Sequence, residues 1–432
     1  MLIWKTNTAD ARIASYRYRC LMPARDLAQQ GYPSIIYNQG DPVVFPRQAQ
    51  AIVFVKSFTR QDLSICQRAV DRGLPVILDL CDNIFIDTYV GKTDVGKTDG
   101  GRTPADSPRE TFWTMAQLAT AIVTTGPALQ QAIATFLEKP PPIWIIPDGC
   151  ETLESMQAVL RASRWQRFAD LLRYCPGGFV GAIAAAGLRQ IKAGARRLKS
   201  WAKWTRHYLS PYLGPIKRAL FGALGLPVSP PVETEPTLSA TAPDLPVPPA
   251  PPPENDTKTI LWFGNHGAAY GKFGMVNILQ AAPALERLSR EYPLRLLVVS
   301  NHYGKYLDLI EPLPFPTAYA EWHPFKIYDD IAQSDAVIIP NSKTPFSLCK
   351  SANRAVLSLS LGVPVVATRT PAYEPLVDCV AFDDWYAGLH QYLSQPEQTQ
   401  QQLARVQQVI QTHYSGTVIA DRWRSMLTTL YT

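Results

Sequence analysis

The sequence predicts an α/β protein of two doubly wound parallel-sheet domains, interrupted by a helical basic insert and a Pro-rich linker. Three observations point there. Short Val- and Ile-rich runs alternate with helical stretches twice over, once before residue 151 and again after residue 257. Between the two blocks, Leu160–Gly225 carries 13 Lys or Arg against one acid, Asp170. Pro227–Pro253 then holds 11 prolines in 27 residues, a composition that stays extended and builds no core. The boundaries that follow are a first domain over 1–151, the insert over 152–226, the linker over 227–256 and a second domain over 257–432, C-terminal helices included.

In the first block, strands are expected at Ser34–Tyr37, Ala51–Val55, Pro75–Leu80, Ala121–Thr124 and Ile143–Ile146. Each is a short apolar run bounded by Gly, Pro or Asp, as a strand buried on both faces requires. Helices are expected between them at Arg19–Gln30, Arg60–Arg72 and Glu110–Leu118. In the second block the strands are Thr259–Trp262, Leu294–Val299, Ala336–Ile339 and Pro364–Ala367, with helices at Val276–Tyr292, Ser351–Leu361 and Gln395–Thr412. A repeated β-α-β order makes both blocks Rossmann-like, because parallel neighbours need a crossover between them.

Composition narrows the function classes. A chain of 432 residues with 46% hydrophobic content is that of a soluble globular protein of more than one domain. It has no run of 18 apolar residues, so no transmembrane helix is expected. The opening MLIWKTNTADARIASYRYR is charged where a signal peptide is apolar, so a cytoplasmic location is expected. The seven cysteines, Cys20, Cys66, Cys81, Cys150, Cys175, Cys349 and Cys379, are scattered and form no CxxC pair. That spacing argues against a disulfide framework or zinc site. No histidine pair has HExxH spacing, so no metal is expected. Outside the insert there are 29 basic and 35 acidic residues, so the insert alone makes the chain basic.

Open parallel sheets bind ligands beyond the carboxyl ends of their strands. Lys56 follows AIVFV, and Asp79, Asp82 and Asn83 follow PVIL within DLCDNIF. Gly264, Asn265 and His266 follow TILWF, Asn301 and His302 follow LLVVS, and Asn341 and Lys343 follow VIIP. A lone polar residue in such a place is ordinarily a cap or turn former; five clusters at five strand ends outline a cleft. KSANR sets Lys350, Asn353 and Arg354 at a helix start, which is either a phosphate site or a solvated basic helix end. Gly91-Lys-Thr-Asp-Val-Gly96-Lys97-Thr98 satisfies the P-loop pattern. It arises from a VGKTD repeat and runs into DGGRTPADSP instead of a helix, so it reads as a loop beside the cleft.

Several segments carry a resemblance. IWIIPDGCE looks like the segment reading v-I-P-N-G-v-D that leaves the N-terminal domain of family 4 glycosyltransferases, and LGVPVVATRTPAYEPL looks like their G-x-P-V-V-a donor-domain strand. SYRYRCLMPARDLAQQGY, WFGNHGAAYGKFGMVNILQAAPALERL and WHPFKIYDDIAQSDAVIIPN are similar to further units of that family, in the same order. The chain therefore resembles GT-B glycosyltransferases of family 4 over about residues 12–151 and 258–432. The resemblance implies a nucleotide-sugar-dependent, hexosyltransferase-like and metal-independent enzyme, with the nucleotide sugar as co-substrate and no other cofactor. The second domain would hold the donor through Gly264, Asn265, Lys272, Asn301, Lys350, Asn353 and Arg354. The first would face a glycan, lipid or small-molecule acceptor with Arg19, Lys56 and Asn83. Asp79 or Asp82 would take the acceptor proton or orient the sugar. Asp82 alternatively caps the following turn, and Arg19 alternatively sits in a surface salt bridge.

The chain also departs from the family. Asn265 stands near its donor-site Arg, and Lys272 is the one nearby candidate for its Lys. The family's Glu-x7-Glu pair falls on Cys349 and Leu357, and DLCDNIF offers no counterpart of its catalytic His. These gaps keep open a degenerate GT-B fold that serves as a membrane-associated binding or scaffold protein.

In the insert, Ile191, Ala195, Leu198, Trp201 and Ala202 recur at helical spacing, while Arg196, Arg197, Lys199 and Lys203 lie largely off that stripe. Gly177–Leu188 adds twelve uncharged residues, too few to span a bilayer. The expectation is a peripheral seat on an anionic membrane through Arg196, Arg197, Trp201, Lys203 and Trp204. No nucleic-acid-binding motif is visible and no nucleic acid partner is expected; packing against protein is the remaining alternative.

Overall fold

A computed structural model describes residues 1–8, 10–86, 107–159, 256–265, 267 and 273–430. The insert with its Arg196, Arg197, Trp201, Lys203 and Trp204, most of the linker, the VGKTD repeat, His266 and Lys272 lie outside the described residues.

The first sheet has six strands: β1 (Leu2–Thr6), β2 (Ser34–Tyr37), β3 (Ala51–Val55), β4 (Val76–Leu80), β5 (Ala121–Thr124) and β6 (Ile143–Ile145). All pair in parallel in the order β2-β1-β3-β4-β5-β6. The second also has six: β7 (Lys258–Phe263), β8 (Leu294–Ser300), β9 (Thr317–Glu321), β10 (Ala336–Ile339), β11 (Val365–Ala367) and β12 (Ala381–Phe382). Its order is β12-β11-β10-β7-β8-β9, again all parallel. Two doubly wound sheets are what the alternating pattern predicts.

The strands β1, β9 and β12 were not expected from sequence. In β1 the obstacle is Lys5, which reads as solvent-facing. It is buried, with its ammonium 2.9 Å from Asp62 and donating to Thr6 O at 3.1 Å. Asp62 in turn closes a capping box with Thr59 at the start of helix Arg60–Val70. The helix expected over Val276–Tyr292 is a 3₁₀ turn, Met275–Gln280, followed by an α-helix, Ala282–Ser289. Pro283 explains the break: it has no N–H to donate, and its ring collides with the carbonyl four residues earlier.

Pro23 acts similarly in the first helix. Between Ala14–Tyr16 and Met22–Gln29 the chain is π-helical over Arg17–Leu21, and Met22 N donates to Arg17 O. Widening the turn removes the need for the missing Pro23 N–H, and such π-turns accompany functional sites. It also carries Arg17 and Arg19 into the interior.

Strand side chains alternate between two apolar layers. In β7, Leu261 and Phe263 join one core while Ile260 and Trp262 join the other, as a sheet covered on both faces requires. The first half has a core of its own, and the last helix, Gly416–Thr429, belongs to it. Ile419, Ala420, Trp423, Met426 and Leu427 are buried against the first helix and β1. The Trp423 ring meets Trp4 edge-on at 5.2 Å. Sequence pattern marks this helix as amphipathic without telling which core receives it. The chain thus passes between the halves at Ile146–Glu151 and again at Tyr414–Ser415. The two passages are bonded together, with Cys150 N donating to Tyr414 O at 2.6 Å.

Candidate functional site

The order of the first sheet reverses between β1 and β3 and that of the second between β7 and β10. Such reversals open a crevice at the carboxyl ends of the strands. Loops from both halves meet there. Asn83 Nδ2 donates to Pro345 O at 3.3 Å and approaches Cys349 Sγ at 3.6 Å. Ser351 Oγ donates to Asp148 Oδ2 at 2.6 Å.

Asp82 is the electrostatic centre of this meeting. Its Oδ2 accepts from Lys56 Nζ of its own half, and its Oδ1 accepts from Lys350 Nζ of the other. Burial alone would raise the Asp82 carboxyl, but the two ammonium groups overcome it and hold the group well below the ordinary carboxylate range. Lys350 also lies 4.1 Å from the centre of the Phe346 ring, a cation–π contact. Lys56 adopts φ 46°, a left-handed conformation that a non-glycine side chain holds at an energetic cost and that recurs at functional sites. Its N–H donates to Asp79 O at 3.0 Å. Asp82, expected with Asp79 to take the acceptor proton or orient the sugar, thus stands in this arrangement as a carboxylate held by two ammonium groups.

Arg19 and Asp79 have moved from candidate ligands to interior. Arg19 holds Asp79 through two bonds of 3.0 and 2.7 Å, donates to Ile146 O at 2.7 Å and lies 3.3 Å from Asp148. Both side chains are fully buried, so neither offers a face to an acceptor. Desolvation works against the Arg19 charge, but Asp79 and Asp148 raise its affinity for the proton still further and fix it as a cation. Asp148 then passes the connection to Ser351 across the cleft.

Helix Asn353–Ser360 starts two residues later than expected, and its N-cap residue, Ala352, has no side-chain group to cap it. Its first turn carries Arg354, whose Nη1 donates to Phe263 O at the end of β7, 3.1 Å away. A Cβ at Gly264 would approach that Nη1 to 3.1 Å, so the glycine keeps the place open for the guanidinium. Among the described residues no carboxylate pairs with Arg354, and burial lowers its proton affinity. A partly buried arginine that pairs with no carboxylate among the described residues, beside the β7/β10 reversal and at a helix start, is an arrangement suited to an anion. Asn353 stands at the first position of the same helix. Asn265 Oδ1 accepts from Gly267 N at 2.9 Å and shapes the loop after β7. Asn301 follows β8 at the same sheet edge. The positions Cys349 and Leu357 are both buried, the latter in the core.

Sequence reading missed a second inter-half cluster. Glu151, at the first passage between the halves, accepts from Arg17 Nε at 2.6 Å and from Tyr328 Oη at 2.7 Å. Arg17 also lies over the Trp322 ring at 5.8 Å. The signal available was Arg17 and Arg19 alternating with aromatics in YRYR, but nothing local names Glu151 and Asp148 as their partners. Among the described residues no group of three or more His, Cys, Asp or Glu could hold a metal, and no described helix is long and apolar enough to cross a membrane.

No protein-family model matches the chain, and no curated protein sequence does. Solved structures match over the whole length. HepE from Anabaena, crystallised with UDP and glucose, gives a TM-score of 0.54 at 10% identity, covering 99% of this chain and 100% of its own. Sucrose-phosphate synthase from Thermosynechococcus elongatus gives 0.54 at 11%, covering 100% and 99%. WaaG, a glycosyltransferase of lipopolysaccharide biosynthesis, gives 0.51 at 11%, covering 100% and 99%. The match takes in both halves together. The fold is GT-B. At these identities the likeness speaks for architecture, and any chemistry has to be argued from the side chains in the GT-B cleft.

Proposed function

We propose that this GT-B chain is a glycosyltransferase that moves a sugar from a nucleotide-sugar donor, held by the second half, to an acceptor facing the first. The observation that carries this reading is Arg354: a partly buried guanidinium with no carboxylate partner among the described residues, at the carboxyl end of β7. Lys350, four residues earlier, and the uncapped helix start at Asn353 add positive charge to the same junction. Glycosyl transfer breaks the bond between the anomeric carbon and a phosphate oxygen, so negative charge grows on the departing diphosphate. Fixed cations and backbone N–H groups aimed at that charge stabilise the transition state more than the ground state. Arg354, Lys350 and the helix start supply this without assigning any step to a metal. Asn265 and Asn301, on adjacent loops, are proposed to line the donor, and Lys56 and Asn83 the acceptor side. HepE, in its complex with UDP and glucose, is a GT-B neighbour in keeping with this reading.

Calorimetric titration with UDP and GDP tests it. One of the two nucleotides should bind, and Lys350→Ala should weaken it on the order of tenfold, the loss of one charge-assisted contact. If neither binds, or if Lys350→Ala binds as tightly as the parent chain, the donor site is misassigned. A degenerate fold is separated by incubation with a panel of nucleotide sugars: slow release of nucleoside diphosphate marks an enzyme, and its absence across the panel marks a binding protein.

The basic insert supports a second element of the proposal, a peripheral seat on the cytoplasmic face of an anionic membrane. Thirteen Lys or Arg against one acid over Leu160–Gly225, interleaved with Trp201 and Trp204, favour it. Each basic residue near such a surface contributes about 1 kcal/mol.

A further inference from the structure

Two ammonium groups, one from each half, converge on a single carboxylate in a cleft whose purpose, on the reading above, is to bind a diphosphate. We propose that Asp82 is an internal counter-anion which holds Lys350 while the cleft is empty, so that donor binding exchanges the Asp82 carboxylate for a phosphate oxygen at Lys350. The inference rests on the donor reading and deepens it, because it makes Asp82 a residue that sets donor affinity.

The geometry carries it in three steps. Lys350 Nζ and Lys56 Nζ take different oxygens of Asp82, so the contact to Lys350 can be released while the one to Lys56 keeps the carboxylate charged and in place. The side chains of Lys350 and Lys56 are 37% and 25% exposed and that of Asp82 is 13% exposed, so the pair is reachable from the cleft and the exchange requires no unpacking of the core. The loop bearing Lys350 is fixed independently, through Ser351 to Asp148 and through Cys349 and Pro345 to Asn83. Releasing the Lys350 side chain therefore leaves its backbone where it is. Asp82 itself is anchored from behind by Lys56, whose strained φ of 46° is held by the bond from its N–H to Asp79 O.

An anion already seated on Lys350 competes with any incoming one. The consequence has a sign that structural damage cannot imitate: deleting the Asp82 charge should tighten nucleotide binding. The experiment titrates UDP and GDP into the full chain, Asp82→Asn and Asp82→Glu, with thermal melting of each to confirm folding. Asp82→Asn should bind the nucleoside diphosphate roughly 3- to 10-fold more tightly, the range expected for freeing one partly exposed ion pair. Asp82→Glu, which keeps the carboxylate, should stay near the parent affinity. The tightening should shrink as salt is raised, because screening weakens both the internal pair and the ligand contact. Binding by the parent chain that Asp82→Asn leaves unchanged or weakens overturns the counter-anion role alone. Absence of nucleotide binding in all three chains overturns the donor site and this inference with it.

Discussion

Replacing Arg354 by Met separates a functional cation from a structural one, because the two readings predict opposite patterns. Among the described residues the guanidinium makes one bond, to Phe263 O at 3.1 Å, and has no carboxylate partner. Burial acts against its charge. Removing it forfeits a charge-assisted hydrogen bond worth about 1.5–3 kcal/mol, but it also ends the desolvation of a cation, a penalty of several kcal/mol per buried ion. Met keeps an apolar stem of similar reach. The two contributions oppose each other, so the net change in stability should stay within about 1 kcal/mol and is expected to be favourable. Nucleotide affinity has no such offset. Loss of about 1.5–3 kcal/mol corresponds to roughly 10- to 150-fold weaker binding. Urea denaturation and calorimetric titration with UDP and GDP, run on the same preparations, measure both. If Arg354→Met unfolds at markedly lower urea yet binds nucleotide like the parent chain, Arg354 is a structural residue and the anion site is refuted.

Trp423 is fully buried and ties the last helix to Trp4; Trp423→Ala should destabilise by about 3–5 kcal/mol, and a urea shift equivalent to less than about 1 kcal/mol would contradict that packing. Glu151→Gln leaves Arg17 buried without its counter-charge and should cost about 3–5 kcal/mol, whereas Tyr328→Phe, which removes one bond to the same carboxylate, should cost about 1–3 kcal/mol; equal effects in denaturation would show that the charge is not the dominant partner. Because the folded Asp82 carboxyl is held below its ordinary value, its contribution to stability is fully present above about pH 4 and is lost as pH falls from there. Asp82→Asn should accordingly lose less stability than the parent chain between pH 5 and pH 3, in urea titrations at each pH. Finally, the full chain should float with anionic liposomes, less so as salt rises, while a chain lacking residues 160–253 should not; equal flotation of the two would remove the insert as a membrane seat.

The doubly wound halves were legible in the sequence because a buried parallel strand is a local signal: AIVFV, PVIL and TILWF are apolar on both faces and end in polar loops. The same local signal put Lys56, Asp82, Gly264, Lys350 and Arg354 at strand ends or helix starts near one cleft. Tertiary structure alone decided what these charges face. Arg19 finds Asp79 60 positions away, and Lys350 finds Asp82 268 positions away. It decided also that Lys5 is a core residue of β1, and that Gly416–Thr429 packs on the first half although it follows the second. Periodicity reports how much of a side chain is hidden and on which face of its own element. The counter-charge or core that meets it depends on the crossovers that bring distant elements together, and no local pattern encodes that choice.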